Sequence, residues 1–220
     1  MIHSPVIGES RPYYRNRISE TSEPQKRATN LSEAPQPAPS ARDTWARIAR
    51  RIRVPVGFLS ALVFVWLAHP TRSSLIAGSL VMFPGLLLRA LASGHVQKDK
   101  ELTISGPYAY TRNPLYLGSF LLATGFAIAA RSWWIVAILV LMLVLIYVPV
   151  IAAEERYLRR TFPGYDDYAR HVPRLFPRLT PYGDSSAAYS STRFWKHREY
   201  QATIGCAVML IVLIIKLIAV

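Results

Sequence analysis

The sequence is short of the residues that several common chemistries require. It has a single cysteine, Cys206, inside an apolar run, which excludes an intrachain disulfide and any thiol-rich metal centre. Acidic residues are scarce, 13 Asp and Glu against 26 Lys and Arg. In a soluble chain that excess of cations would suggest nucleic acid. Here the cations flank apolar stretches and read as membrane topology, so no nucleic-acid partner is expected. No apolar core follows the first residues, so no cleavable signal peptide of the usual kind is expected. There is no glycine-rich dinucleotide fingerprint, phosphate-binding loop, nucleophile elbow or zinc-protease helix. His95 and His171 stand without a carboxylate–histidine cluster, so no metal site is expected.

What is present is segregated along the chain. Residues 1–41 are rich in Pro, Ser and charge, as in PQKRATNLSEAPQPAPSAR, with too little apolar surface to offset the entropy of ordering; a disordered tail is expected. Within 42–53, Trp45, Ile48 and Ile52 recur at helical spacing while Arg47, Arg50 and Arg51 take other faces. That suits a basic helix lying on an anionic lipid surface, or alternatively a solvated linker. Five apolar runs follow, at about 54–69, 74–92, 115–130, 133–153 and 202–220. A bilayer core about 30 Å thick needs about 20 helical residues, so the fourth and fifth fit, and the first and third need tilt or local thinning. Only Arg131 and Ser132 separate the third and fourth runs, which predicts a tight helical hairpin. Ser119, Ala123 and Ala127 give the third helix a small-residue stripe for close approach. The expected fold is all-α and integral to the membrane, with about five transmembrane helices. The expected organisation is a tail (1–41), an interfacial helix (42–53), a membrane domain (54–177), a polar linker (178–200) and a last span (201–220).

The tail, the loop at about 94–114 and the stretch 154–200 hold nearly all the Lys and Arg, whereas the opposite loops hold only Arg72 and Arg131. The basic segments therefore share the cytoplasmic face, with the amino terminus, and Lys216 near the other end can snorkel to the interface. Neither a bacterial inner membrane nor the endoplasmic reticulum is excluded.

Two segments on that face carry the candidate chemistry, GHVQKDKELTISGPYAYTRNPLYLG (94–118) and EERYLRRTFPGYDDYARHVPRLFP (154–177). Asn113 before Pro114 is pushed out of helical geometry, so a helix starts at about Pro114, and Arg112 beside that start adds positive charge for an anion. Arg112 and Tyr116 could equally be interfacial anchors. Glu154 and Glu155 end the fourth helix; as neighbours they point in different directions, so at most one faces a given pocket. Glu155 and Arg159 have the spacing of a surface ion pair. Tyr165 and Tyr168 share a helical face, as an interface belt or the wall of a nucleoside pocket. Arg89, deep in an apolar run after Pro84 and Gly85, either snorkels to the interface or lines a buried polar pocket.

The order GPYAYTRNPLYLG, an apolar hairpin, EERYL and FPGYDDYARHVPRLFP resembles the isoprenylcysteine carboxyl methyltransferase and phospholipid methyltransferase family of membrane enzymes. The resemblance covers roughly 54–177 and marks that domain as methyltransferase-like. Arg112, Pro114, Tyr116, Glu154, Glu155, Tyr165, Tyr168, Val172 and Pro173 stand at the matching places. Asn113 replaces the family's usual histidine, and an amide cannot titrate near neutral pH. His171 stands where an Arg is common, with Arg174 three residues on.

The resemblance implies S-adenosylmethionine as cofactor and a hydrophobic or lipid-like methyl acceptor arriving through the bilayer. It implies cofactor binding by His95, Tyr108, Arg112, Asn113, Pro114, Tyr116, Glu154, Tyr165 and Tyr168, with Glu155 and Arg174 as the catalytic candidates, Glu155 orienting cofactor or acceptor and Arg174 neutralising an acceptor or cofactor carboxylate. A related Tyr-x-x-Arg-His-Pro-x-Tyr pattern occurs in sterol reductases that use NADPH, and a non-enzymatic membrane adaptor is the third reading.

Overall fold

The computed structural model describes residues 41–96, 101–183 and 189–219. The expected disordered tail therefore lies, apart from Ala41, outside the described residues. The described chain is helical, without strands: α1 (Ala41–Leu67), α2 (Arg72–His95), α3 (Pro114–Ala130), α4 (Trp133–Thr161), α5 (Tyr165–His171), α6 (Ser191–Lys196) and α7 (Tyr200–Ala219), with a short 3-10 turn at Gly106–Ala109. Helices α2, α4 and α7 are long and apolar enough to cross a bilayer, while α3 and the 54–67 part of α1 are shorter apolar helices. The five apolar runs thus become five apolar helices of an integral membrane protein. The segment expected as a separate basic helix runs without a break through Pro55 into the first span.

Helix α2 begins with a reciprocal cap. The Thr71 hydroxyl accepts the Ser74 N–H at 3.2 Å and the Ser74 hydroxyl accepts the Thr71 N–H at 2.9 Å, which satisfies two otherwise orphaned donors. The Ser74 hydroxyl also donates to Ala129 O at 2.9 Å and ties this end of α2 to the end of α3. The connection from α3 to α4 is as short as expected, with Arg131 in the left-handed region (φ 52°). The extensive side-by-side packing of α3, however, is with α2. The close approach uses Gly78 and Gly85 against Gly125 and Gly118, not the Ser119, Ala123 and Ala127 stripe; a Cβ on Gly85 would lie 2.9 Å from Gly118 O. Glycine is the only residue that lets two helix backbones meet this closely.

Helix α4 contains one π turn, Leu143–Tyr147. Its cause is readable from Pro149, which lacks the N–H that would bond to Leu145 O four residues back and whose ring crowds that carbonyl. The freed carbonyl accepts the Trp45 indole N–H at 2.9 Å. Trp45 is thereby turned toward α4, and beside it Ala49 is buried against Ile146 and Val150.

At one end of the bundle the Lys216 ammonium donates to Val65 O (2.6 Å) and Trp66 O (3.0 Å), so the expected snorkelling lysine caps the last turn of α1. At the other end the polar segments fold together. Arg112 N–H donates to Pro173 O at 2.9 Å, Arg178 N–H to Tyr110 O at 3.0 Å, Tyr182 N–H to Ala109 O at 3.0 Å and Ser190 N–H to Gly94 O at 3.1 Å. The loop before α3, the segment after α4 and the segment before α7 therefore form one cap over the helix ends.

Candidate functional site

Under this cap lies a cavity of about 500 Å³, within the range of small-molecule sites. The start of α3 supplies one wall with Arg112, Asn113, Pro114 and Tyr116, and the 3-10 turn supplies Tyr108. Helix α4 supplies a stripe of Tyr147, Glu154, Tyr157 and Leu158. Their spacing of seven, three and one residues keeps them on one helical face, a signal already present in the sequence. Tyr168 of α5 closes the side. The floor is Arg89 of α2 and Ser119 of α3, met by Glu199 from the segment that leads into α7.

Of the two readings for Arg89, the structure takes the polar pocket. Its guanidinium donates to Ser119 Oγ at 2.6 Å, to Leu115 O at 3.3 Å and to Glu199 Oε2 at 2.7 Å. Its Nε is buried without a hydrogen-bond partner. A cation this far into an apolar helix needs such partners to offset desolvation. Glu199 lies beyond the expected methyltransferase-like domain and was not a candidate in the sequence, because 110 residues separate it from Arg89.

The two adjacent glutamates divide as their spacing requires. Glu154 opens into the cavity and accepts the Tyr116 hydroxyl at 2.9 Å. Glu155 turns away, is 5% exposed, and is held by Arg174 Nη2 at 2.6 Å and Nε at 3.0 Å, by Asn113 Nδ2 at 3.2 Å and by Arg112 Nη1 at 3.7 Å. The hydrogen bond and charge of Glu155 push the Arg174 guanidinium pKa up from its ordinary value. Glu155 and Arg174 thus sit in a neighbouring cleft, with Arg112 forming part of both. The Arg159 partner expected for Glu155 instead pairs with Asp166 at 2.6 Å. Asn113 is buried and also donates to Arg174 O at 3.0 Å, so the residue at the family's histidine place is a neutral clamp between three segments.

Tyr165 and Tyr168 are both buried, their rings 6.1 Å apart edge to face. Only Tyr168 reaches the cavity, where its hydroxyl donates to Tyr108 O at 2.8 Å. Burial pushes the phenols of Tyr108 and Tyr168 well above the ordinary value, and for Tyr108 the nearby Glu154 adds to the rise. A phenol raised above its ordinary value keeps its proton near neutral pH, and that of Tyr168 is engaged by Tyr108 O. The Tyr165 pKa is raised first by burial and then by Glu155, against which the Arg112 guanidinium acts.

His95 lies outside the cavity. Its Nδ1 is 2.8 Å from Leu91 O, its ring packs on Gly106, whose φ of +57° a side chain would strain, and it faces a second, apolar cavity. His171 is stacked on Tyr182 at the surface. Among the described residues no three His, Cys, Asp or Glu side chains converge as metal ligands.

Residues 91–164 match the phospholipid methyltransferase family, which bears out the resemblance drawn from the GPY turn, Arg112–Tyr116 and the paired glutamates. The chain is 41% identical over 90 residues to the nickel-cobalt-cadmium resistance protein NccN of Alcaligenes xylosoxydans xylosoxydans, covering 41% of this chain and 42% of that one. It is 39% identical over 90 residues to the cobalt-zinc-cadmium resistance protein CzcN of Cupriavidus metallidurans, with the same coverage. It is 30% identical over 121 residues to the protein-S-isoprenylcysteine O-methyltransferase of Schizosaccharomyces pombe, covering 54% of this chain and 49% of that one. The chain thus spans less than half the length of each of these curated relatives. No solved structure matches it.

Proposed function

We propose that this chain, whose residues 91–164 match the phospholipid methyltransferase family, transfers a methyl group from S-adenosylmethionine to a lipid-like acceptor at the cytoplasmic face of the membrane. The observation that carries the reading is the cavity under the polar cap. It joins an anion site, a carboxylate and several aromatic rings at the end of a set of apolar helices.

The residues present suit the groups of such a cofactor. Arg112 and the start of α3, whose cap residue Asn113 makes no side-chain cap bond, suit a carboxylate. Glu154 suits an ammonium, and Tyr116, Tyr147 and Tyr157 suit a purine ring. The cofactor, when bound, supplies a methyl group on a sulfonium, ready for in-line attack. What the chain adds is orientation and exclusion of water: Tyr108 and Tyr168 wall the cavity, the cap covers the helix ends, and Arg89 with Glu199 forms a neutralised floor. The Glu155–Arg174–Asn113 clamp acts by positioning Arg112 and the start of α3.

The test is incubation of membranes containing the protein with methyl-labelled S-adenosylmethionine, followed by extraction of the lipid phase. Label appearing in a lipid-soluble product with wild type, and lost with Glu154→Ala, supports the reading. Label absent from lipid extracts of membranes with folded wild-type protein and a supplied mixture of lipid acceptors overturns it.

A further inference from the structure

The segment that follows Val172 carries two large apolar side chains almost entirely in the open, Phe176 at 80% and Leu179 at 98% exposure. They do not hang on a loose loop. Arg112 N–H bonds to Pro173 O at 2.9 Å, Asn113 Nδ2 to Arg174 O at 3.0 Å, the buried Thr111 hydroxyl to Leu175 O at 3.0 Å and Arg178 N–H to Tyr110 O at 3.0 Å. Four hydrogen bonds to one stretch of chain hold the strap rigidly and fix Phe176 and Leu179 outward. Holding such surface against water would forfeit most of its transfer free energy, and two adjacent cases on a pinned backbone call for a cover.

The depth of the strap identifies the cover. Pro177 lines the apolar cavity together with Leu88 and Leu91, which belong to the last turns of the α2 span. On the same helix Leu87 and Leu91 are themselves 50% and 40% exposed, as lipid-facing residues of a span are. The strap therefore lies level with the end of the α2 hydrocarbon-facing surface and extends it sideways. Arg174 precedes Phe176 and Arg178 lies between Phe176 and Leu179, and the Arg174 side chain is 58% exposed, which suits anionic headgroups at that level.

We infer that residues 173–179 form a strap seated in the lipid interface, with Phe176 and Leu179 anchored among the acyl chains of an anionic bilayer. The segment that clamps Arg112 and Glu155 from outside is thus itself held by the membrane. The inference concerns depth alone and stands independently of methyl transfer.

Spin labels read that depth. In full-length protein carrying Cys206→Ala, single labels at Leu179→Cys, Phe176→Cys and, as an aqueous reference, the exposed Arg160→Cys are compared in phosphatidylcholine–phosphatidylglycerol vesicles. Collision with dissolved oxygen should exceed collision with a water-soluble nickel chelate at 179 and 176, and the order should reverse at 160. If the labels at 176 and 179 behave like that at 160, the strap lies in water and the inference is wrong. If they are shielded from both collision partners, a protein surface covers them and it is equally wrong. Should Phe176→Cys fail to fold, Leu179→Cys decides alone, because its side chain is almost free of contacts.

Discussion

Arg174 grips the Glu155 carboxylate with two nitrogens, Nη2 at 2.6 Å and Nε at 3.0 Å, although 19 residues of chain, including the whole of α5, separate them. This pair ties the end of α4 to the strap, and through Asn113 and Arg112 to the start of α3. Removing a buried carboxylate from among cations costs about 3–5 kcal/mol in a dry site; the half-exposed Arg174 lowers that to about 2–3 kcal/mol. Glu155→Ala should therefore lower the thermal midpoint of the detergent-solubilised protein. Arg174→Ala should do so less, because Arg112 still faces the charge.

Glu154 stands in the opposite situation. It opens to the cavity and is held by one phenol, so Glu154→Ala should leave the thermal midpoint nearly unchanged. Loss of a charge-assisted hydrogen bond to a bound ammonium should weaken affinity by about 1.5–3 kcal/mol, roughly 10- to 150-fold. Melting and ligand titration on the same preparation separate this behaviour from that of Glu155.

The Arg89–Glu199 contact at 2.7 Å joins the cavity floor to the segment before α7, with both side chains mostly buried. Glu199→Gln and Arg89→Met should each destabilise by about 1–3 kcal/mol, and the double variant should cost less than their sum. Additive losses in a thermal-melt cycle would mean that the two residues act independently.

Gly85→Ala tests the α2–α3 contact. The added Cβ would lie 2.9 Å from both Gly118 O and Leu121 Cβ, and a helix backbone cannot give way as a flexible side chain can. A loss of about 1–3 kcal/mol is expected, whereas Ala123→Leu, at a half-buried position of α3, should cost less.

The sequence carried the outline of this molecule unevenly. Five apolar runs and the two-residue Arg131–Ser132 link were readable because composition and length alone specify them. The start of α3 at Pro114 was readable from proline chemistry. Which small residues meet α2 was not: Gly118, Ser119, Ala123 and Gly125 are all small, and which of them faces the partner backbone is set by the partner helix. The division between Glu154 and Glu155 was beyond reading for a related reason. The π turn imposed by Pro149 adds a residue upstream of them and rotates the later part of α4 by about 100°. Arg89 could be recognised as anomalous, but its partner Glu199 lies in a different part of the chain, where no local pattern points to it. His95 fell on the far face because the last turn of α2 directs its ring toward Gly106 and the apolar cavity.

On the proposed reading, the cavity beneath the polar cap binds a nucleoside-bearing methyl donor through Glu154 and Arg112. Calorimetric titration of the purified, folded full-length protein in lipid nanodiscs with S-adenosylhomocysteine tests it most directly. Saturable binding near one equivalent, weakened at least tenfold by Glu154→Ala without loss of fold, is the expected result. Heat no greater than dilution for wild type, or equal affinity in the two proteins, would contradict it.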